Sequence, residues 1–174
     1  MNKVFPEIHS VPLGDVPAGA IVRLSQIDNS VLALVTSHST QRNCRSIVIL
    51  NLVQPNSPSV IFAESWTTRD QCMYYASPMR FEFSQEAVDI DTRSNWWREV
   101  GIIASVNKQF LIHAAPGDRG GFRYVDVQTG AVFLDQMPDT CARFGVWSLW
   151  LRDPLRDRST CILDFDIKKR FRAP

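Results

Sequence analysis

The sequence predicts an all-β protein built of antiparallel meanders, arranged as a pseudo-duplicated barrel or sandwich with little helix. The first observation is a series of short segments, rich in β-branched and aromatic residues, in which apolar and polar side chains tend to alternate. The second is that turn-forming residues separate these segments at regular spacing. The third is that no segment keeps the i, i+3, i+4 apolar spacing of a packed helix.

The first part of the chain contains four predicted strands, over residues 21–25, 31–36, 46–52 and 59–63. Asp28, Asn29 and Ser30 supply the turn between the first two, because their side chains favour turn backbones. Pro55 and Pro58 fall between the last two strands, where a missing N–H costs no ladder hydrogen bond.

The later part of the chain contains six predicted strands, over residues 101–106, 109–114, 122–127, 131–134, 146–151 and 160–167. Asn107 and Lys108 form the turn between the first two of these strands. Gly130 ends a short turn after Gln128, at a position where a positive φ is expected. The last two strands form a hairpin.

The two parts have a similar pattern of strand, turn, strand, long loop, strand, turn and strand. This pattern predicts two halves, residues 20–92 and 100–167, within a single domain of residues 1–174, and it aligns Cys72 with Cys141. A four-stranded meander cannot bury its apolar face alone, so two packed copies are physically reasonable. The alternative is that any all-β chain shows such similarity, because alternation and turns are generic.

Residues 122–132 resemble the inner hairpin of a propeller blade, in which a strand with an aspartate, a Thr-Gly turn and a second strand recur. Propeller-like blades are therefore an alternative to the barrel or sandwich. Since a propeller ring needs more than two blades, this alternative requires an oligomer.

The composition is that of an ordinary globular protein, with 45% hydrophobic and 21% charged residues. A net charge of +1 gives no overall field to attract nucleic acid or an acidic membrane surface. No apolar run is long enough to span a bilayer, and residues 1–10 lack a signal-peptide pattern. We therefore expect a soluble, cytoplasmic protein that binds neither nucleic acid nor membrane.

The cysteines, Cys44, Cys72, Cys141 and Cys161, are far apart in sequence, and none belongs to a C-x-x-C pair. We expect free thiols in a reducing compartment, and the alternative is a Cys72–Cys141 disulfide in an oxidising one. The three histidines lack metal-ligand spacing, and no dinucleotide-binding or phosphate-loop motif is present. No metal or cofactor is expected.

His38 and Cys44 are the candidate catalytic residues, because they lie on one predicted loop and loops often carry functional groups. A Cys–His pair would need the two side chains within hydrogen-bond distance and a third group to orient the histidine. Sequence proximity alone does not provide that geometry.

The candidate ligand-binding residues are Arg42, Asp118, Arg119, Trp66 and Trp97. In the predicted duplication, the loops that carry Arg42 and Arg119 correspond, so two guanidinium groups could bind one carboxylate or phosphate. The two tryptophans lie close to arginines in sequence and suit a protein or carbohydrate contact. The alternatives are solvated loop charges and tryptophans that pack in the core.

Two functions are consistent with the sequence. The first is a non-catalytic binding or protein-interaction module whose partner is a protein or a small anionic ligand, because no catalytic constellation is visible. The second is a small enzyme with a site in a barrel mouth or in the cleft between the halves, using His38, Cys44 and the loop arginines. Convergence of these side chains in one pocket would favour the enzyme, and scattered positions would favour the binding module.

Overall fold

The computed structural model of the chain describes residues 8–25, 27, 31–39, 41–52, 60–75, 79–84, 99–117, 121–134, 141–153 and 158–167. These ranges contain fourteen strands and a short 3-10 helix over Leu13–Asp15. The strands are β1 (Ile8–Pro12), β2 (Ile21–Leu24), β3 (Leu32–Val35), β4 (Cys44–Ile49), β5 (Ile61–Thr67), β6 (Gln71–Tyr75), β7 (Met79–Phe83), β8 (Ile103–Val106), β9 (Gln109–Pro116), β10 (Arg123–Asp126), β11 (Val132–Phe133), β12 (Ala142–Phe144), β13 (Val146–Asp153) and β14 (Arg158–Asp166).

The strands form two sheets. In the larger sheet the order is β1-β6-β2-β3-β4-β5-β9-β10-β11, with β8 also paired to β9 and β12 paired to β8. The smaller sheet has the order β14-β13-β7. The β5–β9 pairing is parallel, and every other pairing in the described residues is antiparallel. The all-β prediction is confirmed, although the larger sheet has free ends within the described ranges and is not a closed barrel.

One strand order occurs twice in the larger sheet. Residues 21–75 give the order β6-β2-β3-β4-β5, and residues 103–144 give the order β12-β8-β9-β10-β11. In each group four strands form an antiparallel meander, and the fifth returns to pair with the first. We call these the first and second strand groups. Their origin as the duplicated halves 20–92 and 100–167 stays a prediction.

Main-chain hydrogen bonds join the two groups in a reciprocal way. The Ser37 N–H donates to the Gly130 carbonyl oxygen (2.9 Å), and the Ala115 N–H donates to the Val60 carbonyl oxygen (3.1 Å). Gly130 and Val60 each precede the fourth strand of their own group, whereas Ser37 and Ala115 each lie near the end of the second strand. These two hydrogen bonds therefore join corresponding positions of the two groups.

A glycine in the left-handed backbone region precedes each group. Gly19 (φ 83°) donates its N–H to the Val35 carbonyl oxygen at 2.8 Å. Gly101 (φ 91°) donates its N–H to the His113 carbonyl oxygen at 2.7 Å. Any other residue would be strained at such a φ, so both bends depend on glycine.

The main core lies between the two sheets. The larger sheet contributes buried side chains such as Ile21 and Ile112, and the smaller sheet contributes Trp147, Leu149 and Phe165. Because side chains alternate along a strand, the other residues of β2, β3 and β4 point to the outer face of the larger sheet.

A second apolar cluster covers that outer face in the first strand group, where Leu13 and Val16 join residues of β2, β3 and β4. The Arg45 guanidinium holds the covering segment by donating hydrogen bonds to the carbonyl oxygens of Leu13 (3.3 Å), Gly14 (3.4 Å) and Val16. Arg45 therefore has a structural role.

All ten predicted strands are present, with shifted ends, and the pattern does not predict β1, β6, β7 and β12. The predicted turn at Asn107 and Lys108 is confirmed, since both residues have positive φ (48° and 68°), as a two-residue hairpin turn requires. Gly130 has the expected positive φ of 70°.

Within the described ranges, no helix combines the length and the apolar character needed to cross a membrane.

Candidate functional site

The loop between β3 and β4 does not form a catalytic pair in the described residues. His38 and Arg42 are exposed, and no hydrogen bond joins the His38 ring to Cys44 in the described part of the loop. The Cys44 thiol instead donates to the Gln41 side-chain oxygen at 3.7 Å, while the Ser39 hydroxyl donates to the Cys44 carbonyl oxygen at 2.5 Å. These bonds stabilise the loop itself.

Of the other predicted ligand-binding residues, Trp66 lies in the described part of the chain. Trp66 lies on β5, half-buried against the outer apolar cluster and opposite Arg45 of β4. Asp118, Arg119 and Trp97 lie outside the described residues. The pairing of Arg42 with Arg119 therefore stays a prediction.

The cysteines form no disulfide in the structure. Cys44, Cys72, Cys141 and Cys161 are all free thiols, so the alternative Cys72–Cys141 disulfide is not formed. Burial raises the pKa of the Cys72 thiol to about 11, which keeps it protonated at neutral pH. Among the described residues, no group of three or more His, Cys, Asp or Glu side chains is placed to hold a metal ion.

A cleft with a volume of about 490 Å³ lies where β7 of the smaller sheet approaches the larger sheet. This volume is within the range of small-ligand pockets, roughly 300–1,000 Å³. Both strand groups contribute to the lining, which consists of Gly19, Ala20, Ile21, Tyr74, Tyr75, Met79, Arg80, Phe81, Phe83, Phe110, Val127 and Gln128. We call this the inter-sheet cleft.

Aromatic rings make up much of the inter-sheet cleft and are held by one another. Phe83 stacks on Phe110 with ring centroids 4.8 Å apart and on Phe144 at 5.2 Å. Phe81 packs at a tilt against Trp147, with centroids 5.5 Å apart. Because Phe81, Phe83 and Phe110 each contact another ring, this part of the cleft wall is preorganised.

A few polar groups border these rings. The Arg23 guanidinium lies 5.6 Å from the centroid of the Tyr75 ring. Burial raises the pKa of the Tyr75 phenol, and the charge and hydrogen bond of Arg23 oppose that shift. Arg80, on the opposite face of β7 from Phe81, forms an ion pair with Glu82. The guanidinium of Arg80 is thus already neutralised.

One edge of β7 is hydrogen-bonded to another strand of the described residues, which is β13. The Ser84 N–H donates to the Val146 carbonyl oxygen at 3.0 Å, so the even-numbered residues of β7 are those bonded to β13. The main-chain groups of Met79, Phe81 and Phe83 therefore point to the other edge. No strand in the described residues pairs with that edge.

The equivalent edge of β13 is covered by β14. The Ile167 N–H donates to the Gly145 carbonyl oxygen (2.9 Å), which sets the odd-numbered residues of β13 facing β14. Phe165 of β14 stacks on Trp147 of β13 with centroids 4.9 Å apart and planes 12° apart. The Trp147 indole N–H in turn donates to the Gly101 carbonyl oxygen at 2.7 Å.

The sequence pattern does not identify the residues of the cleft as a site, although it does indicate one of the strands that line it. Met79, Phe81 and Phe83 alternate with Arg80 and Glu82, which is the period-two pattern of a strand with one buried face. That pattern identifies β7. It does not place β7 beside the other residues of the cleft, since this depends on how the sheets pack.

No protein-family model matches the chain, and neither the curated proteins nor the solved structures gave a match to it.

Proposed function

We propose that this protein is a non-catalytic binding module and that the inter-sheet cleft receives the apolar part of its ligand. The observation that carries the proposal is the cleft itself: about 490 Å³, with five aromatic side chains that form a largely preorganised wall. Preformed clefts of this size that carry several aromatic side chains are typical binding sites.

The nature of the lining favours binding over catalysis. The described lining includes no His, Cys, Asp, Glu, Lys or Ser side chain; its groups able to transfer a proton are the phenols of Tyr74 and Tyr75, and burial raises the pKa of the Tyr75 phenol. Of the charged groups at its border, Arg80 is paired with Glu82 and Arg23 lies against the Tyr75 ring. A protein partner with apolar side chains fits such a surface better than a small anion does.

Two further parts of the proposal concern origin and location. The repeated strand order and the reciprocal hydrogen bonds support an origin of the strand groups as two copies of one unit. The free thiols support a cytoplasmic location, because reducing compartments keep cysteines unpaired.

The test is an NMR titration of ¹⁵N-labelled protein with p-cresol and indole, which represent tyrosine and tryptophan side chains. We expect saturable shifts of amide signals confined to the cleft, for example at Ile21, Phe83 and Val127. Phe110→Ala removes a stacked ring from the wall and should weaken binding by about 2- to 10-fold.

The matched control is Leu134→Ala, because Leu134 is apolar and 72% exposed but lies outside the cleft. This control should bind both probes as the unmodified protein does. Shifts that do not saturate, or that spread evenly over the surface, would contradict the proposal.

A further inference from the structure

The bends that precede the two strand groups are built by the same main-chain hydrogen bonds. Each bend has a glycine in the left-handed backbone region, Gly19 or Gly101. In the first group, the donor and acceptor residues are Gly19 to Val35, Ala20 to Pro17 and Val35 to Ala20, at 2.8, 3.3 and 2.9 Å. In the second group, they are Gly101 to His113, Ile102 to Glu99 and His113 to Ile102, at 2.7, 2.9 and 2.9 Å. The two bends therefore have matching backbone geometry.

The matching geometry fixes the direction of each glycine carbonyl group. In a planar trans peptide the carbonyl group points away from the N–H of the next residue. The next residues, Ala20 and Ile102, both donate this N–H to the carbonyl oxygen three positions before them. The carbonyl groups of Gly19 and Gly101 therefore point in corresponding directions.

In the second strand group this carbonyl group accepts a hydrogen bond from an indole. The Trp147 indole N–H donates to the Gly101 carbonyl oxygen at 2.7 Å, and Trp147 is 1% exposed. The Phe81 ring packs against the Trp147 ring with centroids 5.5 Å apart. A main-chain acceptor and an aromatic neighbour therefore hold this indole in the core.

In the first strand group the equivalent carbonyl group belongs to a residue of the inter-sheet cleft. Gly19 lines the cleft, together with Phe81, Phe83 and Phe110. No residue that the structure describes donates a hydrogen bond to the Gly19 carbonyl oxygen. The cleft therefore combines a main-chain acceptor with an aromatic wall, the two elements that hold Trp147 in the second group.

The surroundings of the two glycines differ in one respect that concerns the size of the site. A Cβ atom added to Gly101 would contact the Phe165 ring, which stacks on Trp147. A Cβ atom added to Gly19 would instead contact the Gln128 main chain. Because the Gln128 main chain takes the place of the second ring, we expect one ring system beside Gly19 and not a stacked pair.

We propose that the inter-sheet cleft is selective for an indole ring, whose N–H donates to the Gly19 carbonyl oxygen while the ring packs against the phenylalanine side chains. The inference rests on the proposed function of the cleft and names the chemistry of its ligand. An acceptor without a donor favours a ring that carries an N–H, because a ring without one leaves the carbonyl group desolvated and unpaired. Free indole compounds and the tryptophan side chains of a protein partner both supply this ring.

Two isomers of methylindole test the hydrogen bond, because they have the same size and differ in the ring N–H. 3-Methylindole keeps the N–H, whereas 1-methylindole carries the methyl group on the nitrogen. In NMR titrations, 3-methylindole should bind more tightly by about 2- to 10-fold, which corresponds to one hydrogen bond. It should also shift the carbonyl carbon signal of Gly19 in ¹³C,¹⁵N-labelled protein, and this shift should be much smaller with 1-methylindole.

N-Acetyl-L-tryptophanamide distinguishes the two sources of the ring. If this compound binds in the cleft and shifts the Gly19 carbonyl signal, a tryptophan side chain of a protein partner fits the site. If only 3-methylindole binds there, the ligand is a free indole compound. Both outcomes support selectivity for an indole.

The double variant Trp96→Phe with Trp97→Phe tests whether the chain supplies the ring itself. We expect this variant to bind 3-methylindole as tightly as the unmodified protein does. Binding that appears only in the variant would show that a tryptophan of the chain occupies the cleft, and the inference would then be wrong.

The remaining outcomes separate this inference from the proposed function. If the two methylindoles bind in the cleft equally tightly, or if 3-methylindole leaves the Gly19 carbonyl signal unchanged, the inference is wrong and the binding module stands. If neither methylindole nor p-cresol binds in the cleft, both proposals fail.

Discussion

The two strand groups share one core on their inner faces and have separate surroundings on their outer faces. On the inner face, Ile21 lies opposite Leu34 in the first group, and Ile103 lies opposite Ile112 in the second. All four side chains belong to the core between the sheets. Aliphatic residues at corresponding positions are expected there, because both groups fill the same space.

On the outer face the corresponding positions differ in chemistry. Val35 and Ile47 lie opposite each other in the first group and are fully buried in the outer apolar cluster. Their counterparts are His113 and Tyr124, which also lie opposite each other, with rings 4.6 Å apart and nearly parallel at 15°. Val35 and His113 correspond because the carbonyl oxygen of each accepts the glycine N–H that precedes its group.

The second group also carries charge on this face. Glu99 and Arg143 form an ion pair of 3.0 Å, and their side chains are only 12% and 13% exposed. An identical strand order therefore constrains the side chains of the shared inner face. Each outer face packs against its own surroundings, and the side chains of the two outer faces differ in chemistry. The first is apolar under its own N-terminal segment, and the second is polar and mostly buried.

The comparison can be broken most strongly at the smaller sheet, where Trp147 of β13 and Met79 of β7 both pack toward the core between the sheets. Trp147 is 1% exposed, stacks on Phe165 and donates to the Gly101 carbonyl oxygen. Trp147→Ala should lower the free energy of unfolding by about 3–5 kcal/mol, since it leaves a large cavity. Met79→Ala should cost only about 1 kcal/mol, because Met79 already borders an open cleft.

Chemical denaturation of the two variants, with the same probe and buffer, measures the difference. Similar losses of stability for Trp147→Ala and Met79→Ala would mean that Met79 is as closely packed as Trp147. That result would remove the structural basis for ligand binding in the inter-sheet cleft.

The ion pair on the outer face of the second group is the next test. Burial raises the pKa of the Glu99 carboxyl, and the nearby Arg143 guanidinium opposes this shift. Arg143→Met leaves the carboxylate without its partner and should lower the free energy of unfolding by about 3 kcal/mol. Adding Glu99→Gln to that variant should recover part of the loss.

Arg80→Met is the matched control for this variant. The Arg80–Glu82 pair has side chains that are 70% and 41% exposed, so its loss should change stability by less than about 0.5 kcal/mol. If the two arginine substitutions lowered the free energy of unfolding equally, burial would not distinguish the two ion pairs. That result would contradict the description of the second outer face as mostly buried.

The local sequence pattern predicts most of the strands and turns of this fold. Alternating apolar residues favour a strand and turn-forming residues favour a turn, and both effects involve residues only a few positions apart. Asn107 and Lys108 illustrate this, since a two-residue gap between apolar segments is enough to define a hairpin. The pattern does not predict β6 or β12, because each pairs with a strand far away in the chain. Such pairings depend on the tertiary arrangement and leave no local signal.

The candidate site is harder to predict than the strands. His38 and Cys44 are near each other in sequence, but main-chain and loop hydrogen bonds set where their side chains point. The inter-sheet cleft combines residues from distant segments such as Gly19, Met79 and Phe110. Only the packing of one sheet on the other brings these residues together.

His113 is the residue at which the two outer faces differ most in their response to pH. It is 2% exposed, and neither ring nitrogen has a hydrogen-bond partner among the residues that the structure describes. Burial lowers the pKa of His113 to about 4, and the positive charge of Arg143 lowers it further. The Glu99 main chain beside the ring has the opposite effect, although it does not reach full hydrogen-bond geometry. The neutral ring stacks on Tyr124 and packs at a tilt against Phe122.

The sign of the pH dependence follows from this lowered pKa. The unfolded chain takes up a proton on His113 near pH 6.5, whereas the folded protein does so only near pH 4. The contribution of His113 to stability is therefore fully present above pH 6.5 and is lost progressively as the pH falls toward 4. The loss is on the order of 3 kcal/mol, and below pH 4 it increases no further.

His113→Phe tests this contribution because phenylalanine preserves the stacked ring and removes the two unpartnered nitrogens. The variant should be more stable than the unmodified protein by about 1 kcal/mol at pH 7, because a buried polar group without hydrogen bonds costs free energy. The gap should widen as the pH is lowered from 6.5 to 4, since only the unmodified chain has this histidine to protonate. The free energy of unfolding of both proteins is measured across that pH range. Subtracting one curve from the other removes the contribution of the carboxyl groups, because they titrate in both proteins. A gap that stays constant with pH would mean that the His113 ring is hydrated or hydrogen-bonded in solution, and the outer face of the second group would then be open rather than buried.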